Sequence, residues 1–392
     1  MIASPYGSEV RLLLRAALLL FTFTVVVGIL NGVDVVDFDR KTLLTHVHAG
    51  ALGWITMSVI AATLWLFALG DRAPSGRSLA SIIAIATPVT VTAYALAFLF
   101  TTGILRPIIG ATVLLVIVVA SGWTFGQVRG RTLSVPHVAI LAALLMSIAG
   151  AVLGVLFGLR LANGSTIVPA SAADAHPAAM VVGFLVPVGM AFIEWIVDPA
   201  SITRRASIAG WVQVVLPFLG GVLAMVGLLA SIPALITVGL PFEVIGLVIL
   251  VVRLRGPLLA GFQVTSVASG RHGTMALLFL IVNIALLVYL VVNYFSINQP
   301  PPLNLLLALD HSIFVGVMTN CILGLITLFR LPVAPVIDHL VFAGLNLGIM
   351  GFVIGLLLDS TPFKHSSTPV LGLAILLALA TSFGPLGKSE EA

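Results

Sequence analysis

Two histidines lie one residue apart in the apolar stretch THVHAGALGW at residues 45–54. Two more, His176 and His311, stand in similarly apolar surroundings. Neutral imidazole is the commonest metal ligand among side chains, and two facing imidazoles are the usual axial pair of a six-coordinate haem. The residue types therefore indicate metal or haem ligation by His46, His48, His176 and His311.

The elements that carry these histidines are predicted membrane spans. Of the 392 residues, 60% are hydrophobic and 8% are charged, with a mean hydropathy of +1.22, which excludes the soluble globular class. A helix of about 20 apolar residues crosses a bilayer. We therefore expect an all-α, polytopic membrane protein with one transmembrane domain over residues 1–392. Its twelve spans are predicted at roughly 11–33, 42–69, 78–102, 105–125, 136–161, 171–197, 208–230, 234–252, 273–296, 303–328, 336–358 and 368–386.

The basic residues predict the orientation of the chain. Most of the 18 lysines and arginines lie at the N-terminus, in the even-numbered loops or in the C-terminal tail. By the positive-inside rule both termini are cytoplasmic, as in a multi-pass protein of the inner (cytoplasmic) cell membrane. Topology thus explains the net charge of +4, and we expect a lipid bilayer and no nucleic acid as partner. The basic residues concerned are Arg11, Arg15, Arg72, Arg77, Arg129, Arg131, Arg204, Arg205, Arg253, Arg255, Arg271, Arg330 and Lys388.

The spacing of the histidines predicts an internal repeat. His46 and His176 are 130 residues apart, and His176 and His311 are 135 apart. They open predicted spans 2, 6 and 10, which all cross in the same direction. We expect three pseudo-symmetric repeats of four helices, roughly 1–130, 131–260 and 261–392.

Helical geometry separates the two histidines of the pair, because residues i and i+2 lie about 200° apart around a helix. His48 matches His311 in predicted depth, and both have a glycine five residues later. These features favour His48 and His311 as axial ligands of one haem. The alternative is His46, whose own helix face carries Ala49, Gly50 and Gly53, a smooth groove for a flat macrocycle or for close helix packing.

The remaining intramembrane histidines indicate a second site. His46 and His176 each have a glycine seven residues later, so we expect them to face a common outer cavity. There they would hold a copper or zinc ion, or a haem propionate together with Arg106. Alternatively, both are interfacial residues bonded to water, because two imidazoles alone make an incomplete metal site.

Other polar residues are weaker candidates. We expect His137 and His272 in cytoplasmic loops, His365 in the last outer loop and His339 at the start of span 11, all structural or solvated. Glu243 lies in the middle of a span, where an acid is costly. It is either part of a proton route or ion site, or a protonated carboxyl bonded to a backbone carbonyl.

Histidines on the outer side of spans 2, 6 and 10 of twelve resemble the catalytic subunit (subunit I) of haem-copper oxidases and nitric oxide reductases. In that family spans 2 and 10 bind the low-spin haem and span 6 supplies a copper ligand in a His-Pro sequence, as in His176-Pro177. Span 11 (HLVFAGLNLGIMGF) is similar to the oxidases' aromatic Gly-x-Asn segment. The HxH pair and HSIFVGVMTN also resemble NnrS-type haem-copper membrane proteins of the nitric oxide response.

The sequence departs from the oxidases at the binuclear centre. Span 7 (GWVQVVLPFLGG) lacks the histidine pair that completes the copper site, span 10 has one histidine instead of two, and Met180 replaces the expected tyrosine. The resemblance therefore implies a degenerate member that does not reduce oxygen or pump protons.

The resemblance further implies one haem b and a task in electron transfer or in the response to nitric oxide or another small gas. Copper is a second candidate cofactor. The expected partners are a quinol or cytochrome as electron donor or acceptor, and a second copy of the chain. A different class stays open, namely a secondary transporter or metal-handling permease with a His- and Glu-lined route.

Overall fold

The computed structural model describes residues 5–69, 76–261, 268–297, 299–329 and 334–383, and this part of the chain is helical with no strand. Twelve helices are long and apolar enough to cross a membrane, which confirms the twelve predicted spans of a multi-pass membrane protein. They are α1 (Gly7–Gly32), α2 (Arg40–Leu66), α3 (Arg77–Phe100), α4 (Leu105–Gly126), α5 (Val135–Asn163), α6 (Ala172–Val197), α7 (Ile208–Leu229), α8 (Pro233–Gly261), α9 (Ser269–Ile297), α10 (Leu303–Leu328), α11 (Pro335–Leu357) and α12 (Thr361–Phe383).

Helices α2, α6 and α10 form the centre of the protein. The other nine make a closed ring in the order α1, α3, α4, α5, α7, α8, α9, α11 and α12, and α12 packs against α1. In the central helices 72–89% of the residues in the most apolar stretch are buried, against 33–50% in the ring helices. The three histidine-bearing helices are therefore the ones that the ring separates from the outer surface of the bundle.

Each central helix changes from α-helical to π-helical geometry just beyond its histidines. The π-helical segments are Ala49–Thr56 in α2, Ala179–Leu185 in α6 and Ser312–Thr319 in α10. π-Helical turns are rare and occur frequently at functional sites. The irregular backbone thus marks the same level of the protein in all three central helices.

The first and last helices define the two faces of the bundle. Gly32, at the end of α1, packs against Thr368, near the start of α12, so these helices are antiparallel. The start of α1 and the end of α12 therefore lie on one face, which we call the terminal face. The histidines of α2, α6 and α10 lie towards the opposite face, where these helices begin. Three of the basic residues used to predict orientation, Arg72, Arg330 and Lys388, lie outside the described residues.

Candidate metal centre

His46 and His176 make the same contact with the ring helix that precedes them in the chain. The Nδ1 atom of His46 lies 2.9 Å from the carbonyl oxygen of Thr24 in α1. The Nδ1 atom of His176 lies 2.7 Å from the carbonyl oxygen of Gly150 in α5. On each ring helix, the residue one turn after this carbonyl is a glycine that packs against the imidazole, Gly28 for His46 and Gly154 for His176. If these glycines carried a Cβ, it would lie 3.2 Å and 2.9 Å from Cε1 of the respective histidine. The absence of a side chain there makes room for the imidazole.

His48 and His311 instead bond to their own helices. Their Nδ1 atoms lie 2.7 Å and 2.8 Å from carbonyl oxygens one turn earlier, those of Leu44 and Leu307. The backbone of its own helix therefore orients each of these two rings.

These contacts assign one tautomer to all four rings. A carbonyl oxygen only accepts hydrogen bonds, so the proton is on Nδ1 and the lone pair is on Nε2. A ligating histidine commonly donates its other N–H in this way, which fixes the orientation of the ring. The contact alone does not mark a site, because the exposed His339 makes it to the carbonyl of Pro335 at 2.7 Å.

Aromatic side chains hold the rings of His48 and His311. His48 stacks on Phe98 with ring centroids 4.1 Å apart and meets Tyr94 edge-on at 5.5 Å, both in α3. His311 packs against Phe352 in α11 at 4.9 Å. All four histidine residues are half-buried.

Electrostatic proximity divides the four histidines into two groups. His46 lies within electrostatic range of His311, whereas His48 lies within range of His176 and Arg106. The guanidinium of Arg106 lies over the ring of Phe98, 4.8 Å from its centroid, so it contacts the same aromatic ring as His48. This grouping differs from the sequence-based preference, which pairs His48 with His311 and His46 with His176.

Each group offers two imidazole nitrogens. Within the described ranges, no three or more His, Cys, Asp or Glu side chains come together as a metal-binding cluster. A haem needs only two axial ligands from the protein, because its macrocycle supplies the other four. A structural zinc site needs four. The donor set of His46 and His311 therefore fits a haem, and that of His48 and His176 is incomplete for a bare metal ion.

The predicted loop positions of His137, His272 and His365 are wrong. His137 lies in the first turn of α5, is 5% exposed, and its Nδ1 is 2.6 Å from Ser134 Oγ. His272 lies in α9, is 4% exposed, and its Nδ1 is 2.7 Å from Asn320 Oδ1. Each ring has a polar partner, which offsets the cost of burial. A signal was present in the sequence, since these two histidines are 135 residues apart, like His176 and His311.

His365 lies near the start of α12, where its Nε2 is 2.8 Å from Asp34 Oδ2. His339 lies in α11, as predicted. Neither contacts the four central histidines through any hydrogen bond in the described part of the chain.

Polar side chains also join the central helices to each other and to the ring. Trp54 Nε1 in α2 donates to Thr319 Oγ1 in α10 at 3.1 Å. Asn320 Nδ2 in α10 donates to Asn346 Oδ1 in α11 at 2.9 Å. Both bonds are buried, and the first connects the π-helical segments of α2 and α10.

A buried ion pair lies near the terminal face. Glu194 in α6 is 2% exposed, and its two carboxylate oxygens accept from Arg253 in α8 at 2.8 Å and 2.9 Å. Gln213 in α7 also contacts both residues. Sequence reasoning did not identify this pair, because α6 and α8 are separated by a whole helix in the chain.

No protein-family model matches the chain, and comparison with curated proteins finds no significant match. The resemblance to haem-copper oxidases therefore rests on the sequence features alone.

Proposed function

We propose that the protein binds one b-type haem between α2 and α10 and acts in electron transfer or in the response to a small gas such as nitric oxide. The observation that carries this proposal is the proximity of His46 to His311. Both belong to central helices, both have Nε2 free for ligation, and each lies within electrostatic range of the other.

The ring of His46 is held closely between α1 and α2. The imidazole lies against Gly28, where a Cβ would be 3.2 Å from its Cε1, and Thr24 lies against Gly50, where a Cβ would be 3.2 Å from Thr24 Cγ2. Bound haem supplies one-electron chemistry. The protein's part is to hold the two rings by their Nδ1 hydrogen bonds and to keep the iron within a ring of apolar helices. With both axial positions filled by histidine, electron transfer is favoured over gas binding.

The second group supports a smaller proposal. His48 lies within electrostatic range of His176 and Arg106, and these three residues would take a haem propionate or, with added water ligands, a copper ion. Two imidazoles do not complete a copper site. The proposed electron partner is a quinol or a cytochrome, and oxygen reduction is not part of the proposed activity.

The three-repeat architecture is also a proposal, supported by matching contacts. In the π-helical segments, a Cβ at Gly53, Gly183 or Gly316 would come within 2.8, 2.4 or 2.5 Å of a side chain in the preceding ring helix. The residues met are Leu20, Met146 and Phe279, respectively. The residues four positions after these three are Thr24, Gly150 and Asn283. The carbonyl oxygens of Thr24 and Gly150 bond to His46 and His176, respectively. The side chain of Asn283 instead bonds to the carbonyl oxygen of Leu309. Leu309 thus stands in the third repeat where His46 and His176 stand in the first two.

We further propose that the terminal face is cytoplasmic, because the basic residues between the helices concentrate there. Fusions of a reporter that is active on only one side of the membrane, placed after residue 392, test this orientation. Activity on the outer side would contradict it.

The haem proposal is tested by an absorption spectrum of the purified protein, with haem extraction and metal analysis. We expect a Soret band, sharp reduced α and β bands of low-spin haem b, and a haem-to-protein ratio near one. Oxygen consumption with quinol or reduced cytochrome should stay at background. A colourless preparation that retains its fold after expression with ample haem would overturn the proposal and favour a transporter.

A further inference from the structure

Glu243 is the least compensated polar side chain in the described part of the protein. It lies in the middle of α8 and is 1% exposed. Neither carboxyl oxygen has a hydrogen-bond partner. A buried carboxyl without a partner is rare in native proteins, so its presence calls for a chemical explanation.

The slot that holds Glu243 is formed by missing side chains in α7. A Cβ at Gly220 would lie 2.6 Å from Oε1 of Glu243 and 2.9 Å from the carbonyl oxygen of Gly239. Any larger residue at 220 would therefore displace the carboxyl group. The glycine leaves room for the acid, and no cationic side chain in the described ranges forms a hydrogen bond with it.

Glu194 provides the contrast within the same protein. It is as buried as Glu243, but Arg253 binds both of its oxygens. Glu194 is therefore compensated as a carboxylate, whereas an ionised Glu243 would stand alone in an apolar medium at high cost. A hard metal cation prefers six or more oxygen ligands, and in the described ranges Glu243 belongs to no cluster of three or more His, Cys, Asp or Glu side chains. The ligand that fits one carboxyl group in an apolar slot is a proton.

Polar atoms lie along the contact between α7 and α8, from the terminal face towards Glu243. Arg253 and Gln213 stand at the terminal end, and Arg253 is ten residues, or about 15 Å, from Glu243 along α8. The carbonyl oxygen of Gln213 faces α8 at Gly246, which is one turn from Glu243. If Gly246 carried a Cβ, that atom would lie 3.1 Å from this oxygen. Pro217 has no N–H to bond that carbonyl, which leaves an acceptor open on the contact.

We propose that Glu243 binds an exchangeable proton, taken from the terminal face along the contact between α7 and α8. The step is the reversible conversion of the carboxylate and one proton into the carboxylic acid, and it needs no other reactant. The proposal is independent of the haem proposal and stands if the protein proves colourless.

Infrared spectroscopy of the purified protein tests the protonation state and its exchange. We expect a carbonyl stretching band of a protonated carboxyl that is absent from Glu243→Gln and shifts to lower frequency after transfer to D2O. Glu194→Gln, the matched control, should not remove this band. Absence of any band specific to Glu243, or a band that never shifts in D2O while the helix amides at the termini exchange, would overturn the proposal.

Two further measurements address folding and route. A hydrophobic carbodiimide should modify Glu243 but not Glu194 in the wild-type protein, as mapped by peptide mass spectrometry; an unmodified Glu243 contradicts the proposal even if Glu243→Gln fails to fold. Pro217→Ala restores an N–H for the Gln213 carbonyl and should slow the D2O shift several-fold. Pro88→Ala, at a proline within α3, should not slow it. Equal rates in all three proteins would exclude this route.

Discussion

The Nδ1 atom of His46 lies 2.9 Å from the carbonyl oxygen of Thr24, on the neighbouring helix α1. Because the carbonyl accepts, the lone pair of His46 is on Nε2 and the orientation of the ring is set by a helix other than its own. His48, two residues later, is oriented by its own helix and by Phe98. Different neighbouring residues therefore orient the two histidines of the HVH sequence.

Substitution of the two histidines should separate their roles. We expect His46→Ala and His311→Ala to lose low-spin haem, whereas His48→Ala should retain most of it, because His46 lies within electrostatic range of His311 and His48 within that of His176. The measurement is the reduced-minus-oxidised spectrum with the haem-to-protein ratio, and His339→Ala is the control. Loss of haem in His48→Ala with retention in His46→Ala would favour the pairing predicted from the sequence.

Gly28→Val should displace the ring of His46. Even a Cβ at this position would lie 3.2 Å from Cε1, and the branched side chain adds two methyl groups. Loss of an orienting contact of this kind weakens cofactor binding by roughly 10- to 100-fold. Haem titration of the stripped protein measures the change. Gly122→Ala, where a Cβ meets nothing within 4 Å, should bind haem like wild type; unchanged affinity in Gly28→Val would argue against His46 as ligand.

Breaking the Glu194–Arg253 pair should destabilise the fold. Arg253→Leu leaves a buried carboxylate without its cation, at a cost of about 3–5 kcal/mol. Cys321, the single cysteine, is fully buried, so its reaction with a thiol-specific fluorogenic dye reports unfolding. We expect a lower midpoint for Arg253→Leu and a wild-type midpoint for Arg255→Leu, an exposed arginine on the same helix. Similar midpoints in the two variants would mean that the ion pair contributes little.

Thr319→Val should loosen the contact between α2 and α10. It leaves the buried indole N–H of Trp54 without its acceptor, which costs about 1–3 kcal/mol. Thr319→Ser keeps the hydroxyl and should fall between this variant and wild type. The same Cys321 assay gives the ranking, and a Thr319→Val protein as stable as wild type would show that the N–H finds another partner.

Low pH should destabilise the start of α2, because Asp39 caps this helix through its carboxylate. Its carboxylate accepts from the backbone N–H of Thr42 at 2.9 Å and from the Thr42 hydroxyl at 2.7 Å, which lowers the pKa of Asp39. A group with a lowered pKa in the folded state stabilises above its unfolded pKa, and this contribution is lost as the pH falls through the folded value. Thermal unfolding followed by circular dichroism should show less acid sensitivity in Asp39→Asn than in wild type. Identical pH profiles would exclude a role for this cap.

Much of the fold was predictable because apolar length alone identifies membrane spans. The depth of the histidines was predictable too, since His48 and His311 each lie eight residues after the first residue of their helix and directly before a π-helical segment. The direction in which each histidine side chain points was not predictable. Which neighbour a side chain faces depends on the rotation of each helix within the bundle, and that rotation is set by contacts such as Gly28 against His46 and Phe98 against His48.

The burial of His137 and His272 was not predictable for a related reason. Arginines stand near both histidines in the chain, and this polarity is typical of a loop. The partners that allow burial come from elsewhere: His272 bonds to Asn320 in α10, and His137 packs against Phe67 at the end of α2.

The π-helical segments of α2, α6 and α10 change how this chain can be aligned with others. Each residue added to a helix rotates the remainder of that helix by about 100°, so a relative that has α-helical geometry at this level would need a one-residue gap inside residues 49–56, 179–185 or 312–319. Chimeras joined on either side of such a gap would otherwise turn Trp54 or Thr319 away from its partner. Ungapped profiles therefore underestimate similarity in the helices that matter most.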